Sequence, residues 1–292
     1  MLNKSIKPLV MERTMDAPVA QVWQAMTTLE GVCRWFFDLK EFKPKVGFEF
    51  AFAVEHKGMT YSHLCKITEV VPQKKLAFTW RYKGHEGDSL VTFVLASSGK
   101  KTKLTLTHEG LETFPKTPQF VRKNFEGGWN FISSALQDYV ENADQEIYIA
   151  REFDAPRELL WEAMTNPKHV VNWWGPVGFT TTIEKMDFRV GGIWKHVMRG
   201  PDGTEYPNQS KFTEIVKPEK IVYSHGGRRK GGPGISFIST WSFEELGKNK
   251  SRVSIRMIFP NTAKRDFVVK EFGAIEGGKQ TLGRLAEYAK KM

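Results

Sequence analysis

Cysteine is almost missing: the 292 residues contain two, Cys33 and Cys65, and neither has a metal-ligand neighbour at zinc spacing. Two cysteines cannot build the disulfide framework of a small secreted domain. Long apolar runs are missing as well. None approaches the roughly 18–20 residues of a membrane span, so no membrane span is expected. The opening "MLNKSIKPLV" lacks the apolar core of a secretory signal. A G-x-S-x-G elbow, an H-E-x-x-H helix, a Cys-x-x-Cys pair and a Walker glycine loop are all absent. No cofactor and no metal is therefore expected. The formal charge is +10, but it divides into +4 over the first 142 residues and +6 over the rest. Spread in this way it describes a mildly basic surface, not the clustered stripe of a nucleic-acid site, so no nucleic-acid partner is expected. "GGRRKGGPG" (226–234) is the densest basic stretch. It lies between two strand patterns and reads as a flexible hairpin loop.

What the chain does have is a repeat. "MDAPVAQVWQAMT" (15–27) returns 138 residues later as "FDAPRELLWEAMT" (153–165). Each copy has an Asp shortly before a Pro, as at a helix start, where a short acid can accept bonds from orphan N–H groups. Apolar residues follow at helical spacing: Val22, Trp23 and Met26, then Leu160, Trp161 and Met164. The correspondence continues. "RWF" (34–36) answers "NWW" (172–174), and "KVGFEF" (45–50) answers "RVGGIW" (189–194). "YSHLCKITEVVPQKKLAF" (61–78) answers "YPNQSKFTEIVKPEKIVY" (206–223), and "EGG" recurs at 126–128 and 276–278. The offset drifts from 138 to 150, so loops have changed length while elements persist. Val171 and Ser210 stand where the first copy has Cys33 and Cys65. A framework disulfide would be repeated, so the cysteines are expected to be free thiols in a reducing, cytoplasmic setting.

Each copy presents one strand, two short helices, about six strands of period-two alternation and a final amphipathic helix. This is an α+β layout. It predicts two domains, 1–142 and 143–292, joined near "ENADQE", each a curved antiparallel sheet with a long C-terminal helix across its concave face. Arg13 and Arg151 hold equivalent places beside the first helix and are expected to pair with Asp16 and Asp154.

The second copy carries "REFDAPRELLWEAMTNP", "NWWGP", "FRVGG", "FTEIVKPEKIVY" and a terminal "GGKQTLGRL" helix. On these residues the chain resembles the SRPBCC (START-like, helix-grip) superfamily, and within it the C-terminal domain of the activator of Hsp90 ATPase. The first copy is a diverged relative, with "LEGVCRWFFD" in place of "NP…WWGP". The resemblance implies two tandem helix-grip domains. For activity it implies little, because the superfamily shares few catalytic residues.

Strand alternation places Trp194, His196 and Met198 on one inner face, with Phe212, Tyr223, His225, Trp241 and Met257 on neighbouring strands. Trp173 and Trp174 are expected at the cavity mouth, and Gly277 and Gly278 remove bulk at the helix entrance. These residues, with Gly278 of the glycine pair, form the predicted ligand-binding set. In the first copy the inner face reads Phe48, Phe50, Phe52, Val54, His63, Cys65, Phe78, Trp80 and His108. An aromatic concave wall with a few polar groups suits a small apolar molecule, so ligand binding or sequestration is the leading expectation. His196 and His225 are the candidate catalytic pair for a cyclase- or hydrolase-like alternative, confined to the second copy because Phe52 and Trp80 replace them in the first. A co-chaperone with a chaperone ATPase as partner is the alternative the resemblance implies. Because Trp129 follows the first copy's glycines, it is expected to plug that copy's cavity, leaving the larger opening in the second.

Overall fold

The two "DAP" phrases turn the chain from a first strand into a first helix, and the same hydroxyl-to-carbonyl bond fixes both turns. In the computed structural model, which describes residues 7–56, 58–228 and 234–292, the hydroxyl of Thr102 donates to the Ala17 carbonyl at 2.7 Å. The hydroxyl of Ser251 does the same for Ala155 at 2.7 Å. Both donors sit on the last strand of their sheet, so the bond ties the beginning of each repeat to its end. Neither Asp caps the helix. The N-cap residues are Pro18 and Pro156 in extended backbone, without a side-chain cap. Residues 229–233 of the hairpin stretch and residues 1–6 of the amino terminus lie outside the described residues.

The chain divides into two compact units at Ala143/Asp144. In the first, β1 (Leu9–Met15) leads into α1 (Val19–Thr27) and α2 (Leu29–Trp35). Strands β2 (Glu49–His56), β3 (Met59–Val71), β4 (Lys75–Tyr82), β5 (Ser89–Ser98) and β6 (Lys101–Glu109) follow, and α3 (Arg122–Asn142) closes the unit. The strands form one antiparallel sheet in the order β1-β6-β5-β4-β3-β2. The second unit repeats the plan with β7 (Glu146–Phe153), α4 (Arg157–Thr165) and α5 (Pro167–Trp173). Its strands continue as β8 (Thr180–Met186), β9 (Ile193–Arg199), β10 (Glu205–Val216), β11 (Lys220–Arg228), β12 (Gly234–Gly247) and β13 (Lys250–Ile258). Two helices end it, α6 (Thr262–Phe272) and α7 (Ala274–Ala289). Its seven strands run β7-β13-β12-β11-β10-β9-β8. Both units are therefore helix-grip folds of the α+β class.

Curvature has a local cause. β3 slips register between Ile67 and Glu69, and β10 slips at the equivalent Phe212 and Glu214. An extra residue on one strand bends it and increases its twist, which wraps the sheet toward the helix side. The two short helices of each unit are locked by one indole. Trp35 Nε1 donates to the Ala25 carbonyl at 2.9 Å, and Trp173 Nε1 to that of Ala163 at 3.0 Å. The arginines do not pair as expected. Arg13 reaches the closing helix instead, donating to Ser133 Oγ at 2.9 Å, Gln137 Oε1 at 3.0 Å and Asn130 Oδ1 at 2.6 Å. Asp16 is contacted by Lys101. Arg151 runs alongside Gly283, which has no side chain to offer.

The glycines of "KVGFEF" and "RVGGIW" have a steric reason. Gly47 and Gly191 take positive φ, +88° and +82°, where a Cβ is strained. Gly47 N–H donates to the Ile67 carbonyl at 2.8 Å and Gly191 N–H to that of Phe212 at 2.7 Å, fastening the turn to the bulged strand. A Cβ on the next residue of the second unit, Gly192, would overlap the Asp187 backbone carbonyl. The substitution Gly192→Ala is therefore expected to cost about 1–3 kcal/mol in urea unfolding. Gly247→Ala has nothing within 4 Å of the new atom and is expected to stay within about 0.5 kcal/mol of the parent. Equal midpoints for the two variants would contradict this account.

Candidate functional site

Each unit has a cavity between the inner face of its sheet and its closing helix. In the first unit it measures about 490 Å³. Phe37 after α2, His63 on β3, Trp80 and Tyr82 on β4, Phe120 and Trp129 supply rings, and Gly127 and Gly128 leave helix backbone bare on the opposite side. Gln119, Lys123 and Asn124 bring polar groups to the same cavity. The rings pack with defined geometry. His63 stacks on Phe52 at 4.4 Å between centroids, meets Trp80 edge-on at 4.7 Å, and Trp80 lies 4.9 Å from Trp129.

Trp129 does not plug this space. Its Nε1 donates to His108 Nδ1 at 2.9 Å, His108 Nε2 meets Ser89 Oγ at 2.9 Å, and Ser89 Oγ donates to the Trp80 carbonyl at 2.7 Å. An indole N–H can only donate, so His108 Nδ1 accepts and its proton lies on Nε2. The chain of bonds then runs one way, from Trp129 through His108 and Ser89 to Trp80. Burial holds His108 neutral, with its pKa pushed down to about 3. The indole is thereby held against the sheet as a wall of the cavity.

The second unit's cavity is smaller, about 220 Å³, which reverses the expected asymmetry. Two causes are visible. A Cβ on Gly128 would find nothing within 4 Å, whereas one on Gly278 would collide with Ile149 Cδ1, and one on Gly277 would press on Pro176. The second helix thus lies closer to its sheet. In addition, α6 and the turn after it bring Val268, Phe272 and Ala274 into the lining.

Of the predicted ligand-binding set, Trp174, His196, Met198, Tyr223, His225, Trp241, Met257 and Gly278 line this cavity together. Trp173, Trp194 and Phe212 do not, and each is fully buried. Trp173 is spent on the Ala163 bond, and Trp194 and Phe212 lie parallel at 6.5 Å in the packed end of the sheet. Period two gave these two the correct face but not the depth along it. Tyr206 and Asn208 also line the cavity. They were recoverable from sequence, since they stand four and two residues before Ser210 on the alternation that carries Phe212.

His225 Nδ1 lies 3.1 Å from Ser210 Oγ, and its ring stacks on Phe237 at 4.4 Å. His196 stacks on Trp194 at 4.3 Å. Burial pushes His196 down to about 3, helped by the neighbouring His225, and pushes His225 down to about 4. Both are neutral at pH 7, so they offer hydrogen bonds and not charge. Buried imidazoles are not confined to the second unit. His63 and His108 hold the same kind of place in the first, with burial lowering His63 to about 4. Cys33 and Cys65 form no disulfide, and burial raises the Cys65 thiol far above its usual range. Among the described residues, no group of three or more His, Cys, Asp or Glu could hold a metal ion, and no helix is long and apolar enough to cross a membrane.

Residues 16–141 and 154–290 each match the family described as activator of Hsp90 ATPase homolog 1-like protein. The chain belongs to that family, in two tandem copies. No curated protein matches it. Among solved structures, a protein from Arthrobacter aurescens is 26% identical, over 51% of this chain and 88% of that one, with a TM-score of 0.48. A protein from Chromobacterium violaceum is 26% identical over 50% of this chain and 97% of that one, with a TM-score of 0.43. The di-domain ARO/CYC BexL from the BE-7585A biosynthetic pathway is 14% identical over 98% of this chain and 99% of that one, with a TM-score of 0.46.

The buried His63, His108 and His196 and the half-buried His225 set a pH dependence. Unfolded imidazoles titrate near 6.5, while the folded groups titrate at about 3 to 4. Between those values the unfolded chain binds protons that the folded chain does not, so stability falls as pH falls below about 6.5. Each histidine contributes a slope of up to about 1.4 kcal/mol per pH unit until its folded pKa is reached. Thermal midpoints are expected to be flat from pH 7.5 to 7 and to drop steadily from pH 6.5 to 5. A midpoint unchanged at pH 5 would show that the imidazoles are not held neutral.

Proposed function

We propose that the protein binds a small hydrophobic or aromatic molecule between sheet and closing helix, and that the first unit's cavity is the principal site. One observation carries this reading. A cavity of about 490 Å³, walled by Phe37, Trp80, Phe120 and Trp129 and floored by bare helix at Gly127 and Gly128, is kept open. Small-molecule sites commonly span about 300–1,000 Å³, mostly apolar with a few placed polar groups. The second unit's cavity falls below that range and suits a smaller guest. Sequestration fits the lining better than turnover: beside Gln119, Lys123 and Asn124, the polar groups are the neutral His63 imidazole and the Tyr61 and Tyr82 phenols, in an otherwise apolar shell. A chaperone ATPase as partner remains the competing proposal, and it requires a surface and not a cavity.

The test uses the neutral fluorophore N-phenyl-1-naphthylamine with the full chain. Saturable binding is expected, with a Kd on the order of 10 μM or tighter, equivalent to about −7 kcal/mol. In Gly128→Leu the new side chain enters the cavity while the helix gains a better helix former, worth about 0.5–1 kcal/mol. That variant is expected to lose at least tenfold in first-site affinity without a lower thermal midpoint. Unchanged binding in Gly128→Leu would remove the first cavity from consideration.

A further inference from the structure

The charge around the first unit's cavity has one sign. Among the described residues that line it, Lys123 is the one charged side chain, and no carboxylate is present. Lys123 stands in the first turn of α3, four residues before Gly127, and side chains at that spacing share a helix face. Its stem therefore lies on the face that the two glycines leave bare. Lys123, Gly127 and Gly128 are all exposed, so the mouth of the cavity opens along this part of the helix.

The helix offers this ammonium no partner. The carboxylate three residues on, Glu126, accepts from Arg122 Nε at 3.0 Å, and the position one turn on is glycine. Asn124 is engaged elsewhere, donating to the Pro118 and Gln119 carbonyls at 2.9 and 3.0 Å. Among the described residues Lys123 makes no ion pair or hydrogen bond. Nor does the fold require a cation here. Aligning the two "EGG" phrases puts Gly273 at the place of Lys123 and Ala274 at that of Asn124. Ala274 lines the second cavity as Asn124 lines the first, yet no charged side chain lines the second among the described residues. The charge belongs to the larger cavity.

We infer that the first-unit cavity takes an amphipathic anion, a flat apolar body with a single carboxylate-like end seated at the mouth beside Lys123. The body lies against Trp80 and the helix at Gly127 and Gly128, where no Cβ intervenes and burial of apolar surface drives binding. The anionic end stays at the exposed rim, keeps part of its water and avoids the cost of entering the apolar interior. There it meets the ammonium in a charge-assisted pair, and the Gln119 amide, which lines the same cavity, has N–H groups to donate. A cationic end would meet Lys123 with no acid in the lining to offset it. This inference rests on the ligand-binding reading above and adds the chemical class of the ligand.

The test compares 1-pyrenebutyrate, 1-pyrenebutanol and 1-pyrenebutylamine by fluorescence titration of the full chain at low ionic strength. The three share one ring system and differ in the charge of the end group. The butyrate is expected to bind more tightly than the alcohol by about fivefold, and the amine most weakly. Added salt is expected to shrink that difference, because a pair at the rim is screened. Lys123→Met keeps an apolar stem and loses the charge. It is expected to bring the butyrate to the affinity of the alcohol while leaving the alcohol within about twofold. Lys100→Met, in the β5–β6 turn and outside the lining, removes the same charge and is expected to keep the preference. A preference that survives Lys123→Met, or is lost equally in Lys100→Met, would overturn the assignment to Lys123. Equal affinity for butyrate and alcohol, both lost in Gly128→Leu, would overturn the anion preference and leave apolar binding intact. Tightest binding of the amine would overturn the sign of the preference. No binding of any of the three, or binding indifferent to Gly128→Leu, would overturn the ligand-binding reading itself.

Discussion

At Gly278 an added methyl group would strike Ile149 on β7, and at Gly128 the same group would meet open space. How closely the closing helix approaches its sheet is the constraint on which both sites depend. Two adjacent glycines permit close approach in either unit, but they do not compel it. In the second unit the contact is made, and the void shrinks to about 220 Å³. In the first unit the indole of Trp129 fills the gap between helix and sheet from one side. Its bond to His108 turns the ring toward the sheet, and about 490 Å³ stays open. A buried network in the first unit, and close helix approach with the α6 residues in the second, set what the paired glycines leave open.

Much of the architecture was legible because the repeat writes it twice. Where two copies keep a residue against drift elsewhere, the structure shows a backbone group that needs it. The alanines of the "DAP" turns present carbonyls to Thr102 and Ser251. The tryptophans of "RWF" and "NWW" tie α2 to α1 and α5 to α4. The threonines ending the phrase, Thr27 and Thr165, donate back to Trp23 and Trp161 at 2.6 and 2.9 Å. The aspartates are the exception. Their spacing from Pro imitates a cap, but Pro itself occupies the cap position with extended backbone, and the acid is left outside it.

The site was legible in face and illegible in depth. Alternation correctly placed Trp194, Phe212 and His196 on the inner side, because side-chain direction in a strand is local. How far along the strand the packed core ends and the void begins depends on the closing helix and on α6, which lie far away in sequence. The same limit concealed the first unit's cavity. Trp129 following two glycines reads as a plug unless its ring is known to be held elsewhere, and that requires His108, 21 residues away.

Divergence between the copies carries the functional information that their similarity cannot. Shared residues report what the helix-grip fold needs, since either copy folds with them. Differences at cavity positions report what each unit does with the space. Asn208, Ser210 and His225 satisfy their polar atoms within the protein, whereas His63, Cys65 and Trp80 at the matching places leave two of them open. Burial without a partner is unfavourable, and both units carry it, since Trp194 Nε1, His196 Nδ1 and Ser239 Oγ of the second have no partner either. What differs between the units is the space beside these rings, about 490 Å³ in the first and about 220 Å³ in the second.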